Sequence, residues 1–212
     1  MDKIDLHTHS ISSFDSNIRL DLAIKVAKKI CLKGIAVTDH NKFTKVKFIE
    51  KDFIVIDGME ISTDVGEILV YGIQETIKSH MPLDETIDKA HQQGAIAVAA
   101  HPFDSLRKGI GKGASKKFDG IEVFNSRNCF NVSNRKAELE SIKAGLPPTG
   151  GSDAHTIQEI GSAFTLFSSV ENQDDVLKAI KKGKCRPVGK TSWILVHAKS
   201  YAIRLEKIFG LI

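Results

Sequence analysis

Histidines and carboxylates recur in short groups along this 212-residue chain, and most of the groups follow an apolar run typical of a buried strand. Imidazole nitrogens and carboxylate oxygens are ligands that suit zinc, iron or manganese. The groups are His7-Thr8-His9, Asp39-His40, Glu60, His101-Pro102, Asn125 and Ser152-Asp153-Ala154-His155. These residue types predict metal-assisted hydrolysis at a site that draws its ligands from His7 to His155.

The spacing within and between the groups supports a shared site. His7 and His9 point the same way in an extended strand, because side chains alternate with a period of two. A single His after a strand is more often a surface or core residue than a metal ligand. The evidence for a metal site is therefore that His recurs at successive strand ends. One catalytic zinc takes about three protein ligands. The surplus predicts two or three ions, with Glu60 able to bridge a pair.

The elements that must position these residues alternate along the chain. Helices are predicted at 20–33, 42–50, 82–93, 134–144 and 174–182, four of them closed by a glycine at 34, 94, 145 or 183. Strands are predicted at 3–6, 35–38, 53–56, 67–73, 95–100, 119–124 and 163–167. This alternation favours a parallel sheet. In a β/α barrel the carboxyl ends of the strands share the face that holds the active site.

Composition limits the classes of protein. The net charge of +4 permits a phosphate-bearing substrate without demanding nucleic acid. The three cysteines form no CxxC pair, so neither a thiolate zinc site nor a disulfide framework is indicated, and a cytoplasmic location fits. No apolar run is long enough to span a membrane. We expect one barrel over residues 1–190, an extension with an amphipathic helix over 191–212, and no membrane or obligate protein partner.

The motifs together resemble those of the polymerase and histidinol phosphatase (PHP) family of metal-dependent phosphoesterases, over about residues 2–170. The resemblance lies in His7-Thr8-His9, Asp15 in the following loop, Thr38-Asp39-His40, Gly58-Met59-Glu60, His101-Pro102 and Ser152-Asp153-Ala154-His155. It implies an α/β fold, a distorted (β/α)7 TIM-like barrel with a short C-terminal extension. It also implies two or three divalent metal ions, which would be Zn, Mn or Fe.

The resemblance assigns the ligands by position. The first ion would be held by His7, His9, Glu60 and Asp153, the second by Glu60 and His101, and the third by Asp15, His40 and His155. The chain departs from the pattern at Glu67, where many members place a His. A carboxylate there is a harder, more anionic ligand, which favours iron or manganese over zinc.

The implied reaction is hydrolysis of phosphate esters by a metal-activated hydroxide, with His101, His155 and Asp153 as catalytic residues. His101 or His155 would protonate the leaving group. The expected substrates are small phosphomonoesters, such as nucleotides or nucleoside bisphosphates, or short oligonucleotides.

Two alternatives remain at this point. Barrel amidohydrolases also open with His-x-His, but they typically add a metal-bridging lysine. Here that position carries Glu60, and Asp153 is followed by His155, so the phosphoesterase is favoured. A non-catalytic metal-binding module on the same fold would be expected to lack ligands.

Residues flanking these motifs have two interpretations each. Asn125 contacts substrate or a metal-bound water, or it caps a loop. Arg127, Arg107 and Lys112 are able to hold a phosphate, although solvated loop charge is the favoured interpretation for each one singly. Arg127 and Asn125 are the predicted substrate-binding residues.

The remaining polar residues are expected to lie outside the first coordination sphere. Asp39 is predicted to orient His40 or His9 rather than to cap a helix. His80 is predicted to lie in a loop, His91 on a polar helix face and His197 on the surface of the tail. Cys129 has no visible base partner and is not predicted to be a nucleophile.

Overall fold

The computed structural model describes residues 1–46, 51–111, 117–128, 131–192 and 195–211. Within these ranges the strands are β1 (Asp2–Thr8), β2 (Gly34–Val37), β3 (Ile54–Ser62), β4 (Glu67–Tyr71), β5 (Ile96–Ala99), β6 (Gly120–Asn125), β7 (Pro148–Gly151), β8 (Ala163–Phe167) and β9 (Cys185–Gly189). The helices are α1 (Leu20–Lys29), α2 (Leu83–Gln92), α3 (Asn131–Ala144), α4 (Gln173–Lys181) and α5 (Leu195–Ile208).

The strands of the described ranges form one sheet in the order β7-β6-β5-β4-β3-β2-β1-β8-β9, and the sheet curls until its first seven strands nearly close. Closure lies between β7 and β1. The amide of Asp153 donates to the carbonyl of His7 at 2.7 Å, and the amide of His9 donates to the carbonyl of Ala154 at 2.9 Å. The predicted TIM-like barrel is therefore confirmed.

The prediction of a parallel sheet is only partly right. β1, β2 and β3 are parallel, as are β5, β6 and β7. β4 is antiparallel to both neighbours, because a tight turn at residues 63–66 joins it to β3 where a parallel connection needs a longer crossover. β8 and β9 add a second antiparallel pair beside β1.

Apolar side chains fill the barrel and the space beneath its helices. The inner strands are buried on both faces, which explains why they appear in the sequence as continuous apolar runs. Ile4, Ile56 and Val98 belong to the interior cluster, which also includes Ile180 of α4. The hydroxyl of Tyr71 is satisfied inside this cluster by the carbonyl of Leu6, at 2.8 Å.

The predicted elements lie close to the observed ones, with four differences. β7 was not among the predicted strands, because its four residues are a proline, a threonine and two glycines. Residues 42–46 form no helix, and the rest of the helix predicted at 42–50 lies outside the described residues. β3 continues to Ser62, so Glu60 lies within a strand rather than in a loop after one. β9 was not predicted, because Pro187 in its five residues argues against a strand.

Glycine lets β7 approach the first strand. A Cβ atom on Gly151 would lie 2.5 Å from Cβ of His7 and 2.6 Å from its backbone nitrogen, which is closer than atoms can pack. No helix in the described part of the chain is long and apolar enough to cross a membrane.

Candidate metal centre

His7 and His9, at the end of β1, form the floor of the site. Both are fully buried, and their Nε2 atoms lie 3.1 Å apart. Glu60 Oε2 lies 3.5 Å from the Nε2 of His7 and 3.4 Å from the Nε2 of His9, while Asp153 Oδ1 lies at 3.5 and 3.2 Å from the same atoms. These are the four residues expected to hold the first ion, and the fold brings all four together.

Glu60 lies between two groups of ligands. One carboxylate oxygen, Oε1, lies 2.9 Å from Nε2 of His101, and His101 Nε2 is 3.8 Å from Oε2 of Glu67. The other oxygen, Oε2, lies 2.9 Å from Nδ1 of His40. Glu60 thus lies between ligands that were predicted to hold different ions, and Glu67 lies on the side of His101.

A third group forms around Asp15, on the loop after β1. Asp15 Oδ2 lies 3.2 Å from Nε2 of His155 and 3.6 Å from Nε2 of His40. The rings of His40 and His155 lie within 4.3 Å of the ring of His9, centroid to centroid. Nδ1 of His155 lies 2.9 Å from the carbonyl of Asp153, which can only accept, so the His155 proton lies on Nδ1 and Nε2 faces the cluster with its lone pair.

The carboxylates of this cluster attract positive charge. Burial lowers the pKa of His7 and His40, but the neighbouring carboxylates outweigh it and raise both well above the usual value, so these two histidines hold protons that a metal ion would displace. Burial raises the pKa of Glu60, but His40 and His7 outweigh it and hold that pKa well below its usual value. For Asp153, burial is likewise outweighed by His7 and Arg107, and its pKa is also held well below the usual value. Burial and the neighbouring His155 lower the pKa of His9 to about 4, so His9 is neutral, the form that binds metals.

The donor set fits metal ions. Among the described residues, three sets of His, Asp or Glu ligand atoms lie within 4.8 Å of one another: His9, His40 and His155; His7, His9 and Glu60; Glu60, Glu67 and His101. Two buried atoms in the cluster, Asp15 Oδ1 and His101 Nδ1, have no hydrogen-bond partner there, whereas Glu60 Oε2 has Nδ1 of His40 at 2.9 Å. Buried polar atoms without partners are rare, and a cation would satisfy the Asp15 oxygen.

The backbone is strained at two of these residues. Asp153 has φ of 57° and His101 has φ of 25°, although neither is glycine. Such conformations cost energy and collect at functional sites. The surrounding hydrogen bonds hold both residues in place.

Glu122 is a site residue that the sequence analysis missed. Its Oε1 lies 2.9 Å from Nδ1 of His7, and its Oε2 accepts from the amide of His101 and from Nδ2 of Asn125, both at 2.9 Å. A carboxylate on Nδ1 fixes the ring and leaves Nε2 for a metal. The available signal was a single Glu inside the apolar strand β6, where an unpaired charge would be costly.

Asp39 acts through a neighbouring serine. Its Oδ1 accepts from Ser13 Oγ at 2.7 Å, and Ser13 Oγ in turn lies 3.2 Å from Nδ1 of His9 and accepts from the amide of His40 at 3.1 Å. Residues 41–46 are not helical, so the alternative of a helix cap is excluded. The predicted orienting role agrees with this geometry.

A cavity of about 330 Å³ opens above the cluster. Its lining includes Asp15, His40, Glu60, Glu67, His101, Asp153 and His155 on the floor and Arg107, Lys108, Arg127, His197 and Arg204 toward the walls. Arg107 is not the solvated loop charge that its sequence context favours, because its guanidinium forms ion pairs with Asp153 and Asp104. Lys112 and Cys129 lie outside the described residues.

The two predicted substrate-binding residues differ in position. Asn125 is fully buried beside the cavity, and its Nδ2 donates to Asp153 Oδ2 at 3.1 Å. Arg127 faces the cavity and is only 4% exposed. Its Nη2 donates to Ser200 of α5 at 2.6 Å, while its Nε and Nη1 have no hydrogen-bond partner among the described residues.

The tail helix forms part of the site, which the sequence did not indicate. His197 was predicted to be a surface residue, but it lines the cavity and its Nε2 donates to the carbonyl of Arg127 at 2.9 Å. His80 and His91 are as predicted: the first is exposed in a loop and the second lies on the outer face of α2, 2.8 Å from Asp119.

Comparison with known proteins agrees with this arrangement. The model of a PHP-associated family, PHP_C, matches residues 131–185. Uncharacterized protein MJ0417 of Methanocaldococcus jannaschii is 36% identical in an alignment of 189 positions that covers 82% of this chain and 75% of that protein. This chain belongs to the PHP family.

Solved structures share the fold of this PHP-family chain. PsfC from Pseudomonas syringae superposes with a TM-score of 0.72 at 16% identity, covering 98% of this chain and all of that one. A two-domain protein from Bacteroides vulgatus, described as containing a predicted PHP-like metal-dependent phosphoesterase, superposes with a TM-score of 0.66 at 18% identity. That match covers 89% of this chain and 64% of the longer protein. At these identities the likeness establishes the fold.

Proposed function

We propose that the chain is a metal-dependent hydrolase of phosphate esters. The observation that carries this proposal is the division of charge within one cavity. Ionised carboxylates and histidines form its floor, and arginines stand in its walls. The floor suits cations, and the walls suit the phosphate that those cations would help to bind.

The metal ions would be held by the nine predicted ligands, His7, His9, Asp15, His40, Glu60, Glu67, His101, Asp153 and His155. When bound, divalent ions lower the pKa of water toward neutrality and offset the charge of a phosphate undergoing attack. We propose two or three ions. The carboxylate of Glu67 favours manganese or iron over zinc.

The residues of the chain would orient the phosphate and move a proton. Arg127 lines the cavity, and a guanidinium matches the geometry of phosphate oxygens, although its Nη1 also lies 3.6 Å from Oε1 of Glu159. His101 or His155 would protonate the leaving group in a state in which it is not fully committed to a metal ion, and Nδ1 of His155 is engaged by the carbonyl of Asp153. Asn125 would hold Asp153 in position.

The cavity favours small substrates. A volume of about 330 Å³ is at the lower end of the range for small-molecule sites. Phosphomonoesters of nucleotide size, nucleoside bisphosphates or the terminus of a short oligonucleotide fit these dimensions and the cationic walls.

Replacement of Asp153 tests the proposal. Asn tolerates the positive φ of this position, so Asp153→Asn removes the charge while keeping the backbone. Turnover of a generic phosphomonoester should fall by at least 100-fold, as should that of His9→Ala. His91→Ala, on the outer face of α2, serves as the control and should match the wild type. Retained activity in Asp153→Asn would refute the assignment.

A further inference from the structure

Helix α5 is attached to the barrel at both ends. Near its start, Ser200 Oγ accepts from Nη2 of Arg127 at 2.6 Å and His197 Nε2 donates to the carbonyl of the same residue. Near its end, the ammonium of Lys207 donates to the carbonyls of Ile11 and Ser13, at 2.8 and 2.6 Å. The helix thus lies across the cavity from Arg127 to the loop after β1.

The loop that Lys207 contacts carries Asp15. Residues 10–16 follow the His7-Thr8-His9 motif and include Asp15. The hydroxyl of Ser13, in the same loop, is hydrogen-bonded to both Asp39 and His9. Lys207 therefore reaches a loop whose position determines where the Asp15 carboxylate lies relative to His40 and His155.

A second contact from the same helix reaches this loop. The guanidinium of Arg204 lies over the ring of Phe14, 5.2 Å from its centroid. His40 also stacks on that ring, with centroids 4.9 Å apart and planes inclined by 22°. Contacts from α5 thus continue through Phe14 to His40, a predicted ligand.

We propose that Lys207 is a positioning residue for the metal site of Asp15, His40 and His155. Its ammonium binds the carbonyls of Ile11 and Ser13 and so fixes the 10–16 loop, and with it Asp15, for binding of the ion. The tail helix would then help to build the metal centre as well as to line the cavity. This inference rests on the proposed function, because it requires that an ion binds there.

Three variants at Lys207 and one control test the role. Lys207→Met keeps the aliphatic stem and removes the donors, Lys207→Ala removes both, and Lys207→Arg restores donors. Lys199→Ala removes an equal charge from an exposed position of the same helix. Asp15→Asn identifies the binding step that belongs to this site in a titration with Mn²⁺ or Zn²⁺.

Two readouts are measured on the full chain. Outer contacts of metal ligands typically change metal affinity by about 10-fold to 100-fold. We expect Lys207→Met and Lys207→Ala to weaken the Asp15-dependent step by about 10-fold, with Lys207→Arg recovering most of the loss and Lys199→Ala unchanged. Amide hydrogen exchange of residues 10–16 in metal-free protein should rise in the same order.

The outcomes separate this inference from the proposed function. Wild-type metal affinity together with wild-type exchange in Lys207→Met would overturn the positioning role. If the wild type shows no metal-binding step that is lost in Asp15→Asn, the proposed function fails at that site. Exchange in metal-free protein then decides the role alone: faster exchange in Lys207→Met supports positioning of the loop, and unchanged exchange overturns it.

Discussion

Replacing Glu122 with Gln should impair the metal centre without unfolding the barrel. One oxygen of the Glu122 carboxylate is hydrogen-bonded to Nδ1 of His7. The other accepts hydrogen bonds from the amide of His101 and from Nδ2 of Asn125. An amide offers only one oxygen. If that oxygen faces the two N–H groups, the amide NH₂ faces His7 Nδ1, whose proton must then move to Nε2, the nitrogen that faces His9 and Glu60.

The magnitude follows from these contacts. A hydrogen bond to a charged group contributes about 1.5–3 kcal/mol, and a buried donor left without a partner costs about 1–3 kcal/mol. Because a metal ion needs the lone pair on Nε2, we expect the affinity for the tightest ion to fall by about 10-fold to 100-fold, and turnover at limiting metal to fall with it. At about 2–4 °C per kcal/mol for a chain of this size, the loss of the charged hydrogen bond should lower the melting temperature by about 3–12 °C while the barrel stays folded.

The assay is competition for Zn²⁺ or Mn²⁺ against a fluorescent chelator, followed by thermal melting of the same samples. Glu138→Gln, on the exposed face of α3, is the matched control and should behave as the wild type. Wild-type metal affinity in Glu122→Gln would show that this hydrogen bond does not set the tautomer of His7, and the reasoning would be refuted.

Three further measurements test the packing of the barrel. Tyr71→Phe removes a buried hydroxyl that donates to β1 and should lower the free energy of unfolding by about 1–2 kcal/mol in urea denaturation; no change would contradict the assigned bond. Gly151→Ala places a Cβ against His7 and should reduce metal binding more than it reduces secondary structure measured by circular dichroism; equal metal content would contradict the close approach. Burial raises the pKa of Cys185 to about 11, so its thiolate fraction at pH 8 is only about 0.001. Exposed Cys31 should therefore react with iodoacetamide far faster than Cys185, as followed by mass spectrometry, and equal rates would contradict the burial of the Cys185 thiol.

The ligands were predictable because they obey a local rule. His7, His40 and His101 each follow a short apolar run, and parallel strands bring such positions to one end of a barrel. Glu60 was found despite a wrong strand boundary, since extending β3 moves it from a loop into the strand without moving it from the site.

The residues that escaped prediction depend on contacts between distant parts of the chain. Arg107 appeared as loop charge because its partner Asp153 lies 46 residues away. The contacts of His197 and Lys207 depend on the path of α5 across the cavity. An amphipathic pattern predicts that one face of a helix is covered, but it does not predict which residues cover it. β9 was not predicted because it contains Pro187, which is tolerated here because β9 lies at the edge of the sheet.

The central claim is that this cluster holds metal ions that make the chain a phosphoesterase. The most direct test is to purify the protein without chelators, measure zinc, manganese and iron per chain by mass spectrometry, and assay the same sample on a generic phosphomonoester. We predict two or three equivalents of metal, with turnover that is lost on chelation and restored by adding metal back. Fewer than one equivalent, together with no turnover after manganese, iron or zinc is added, would contradict the account.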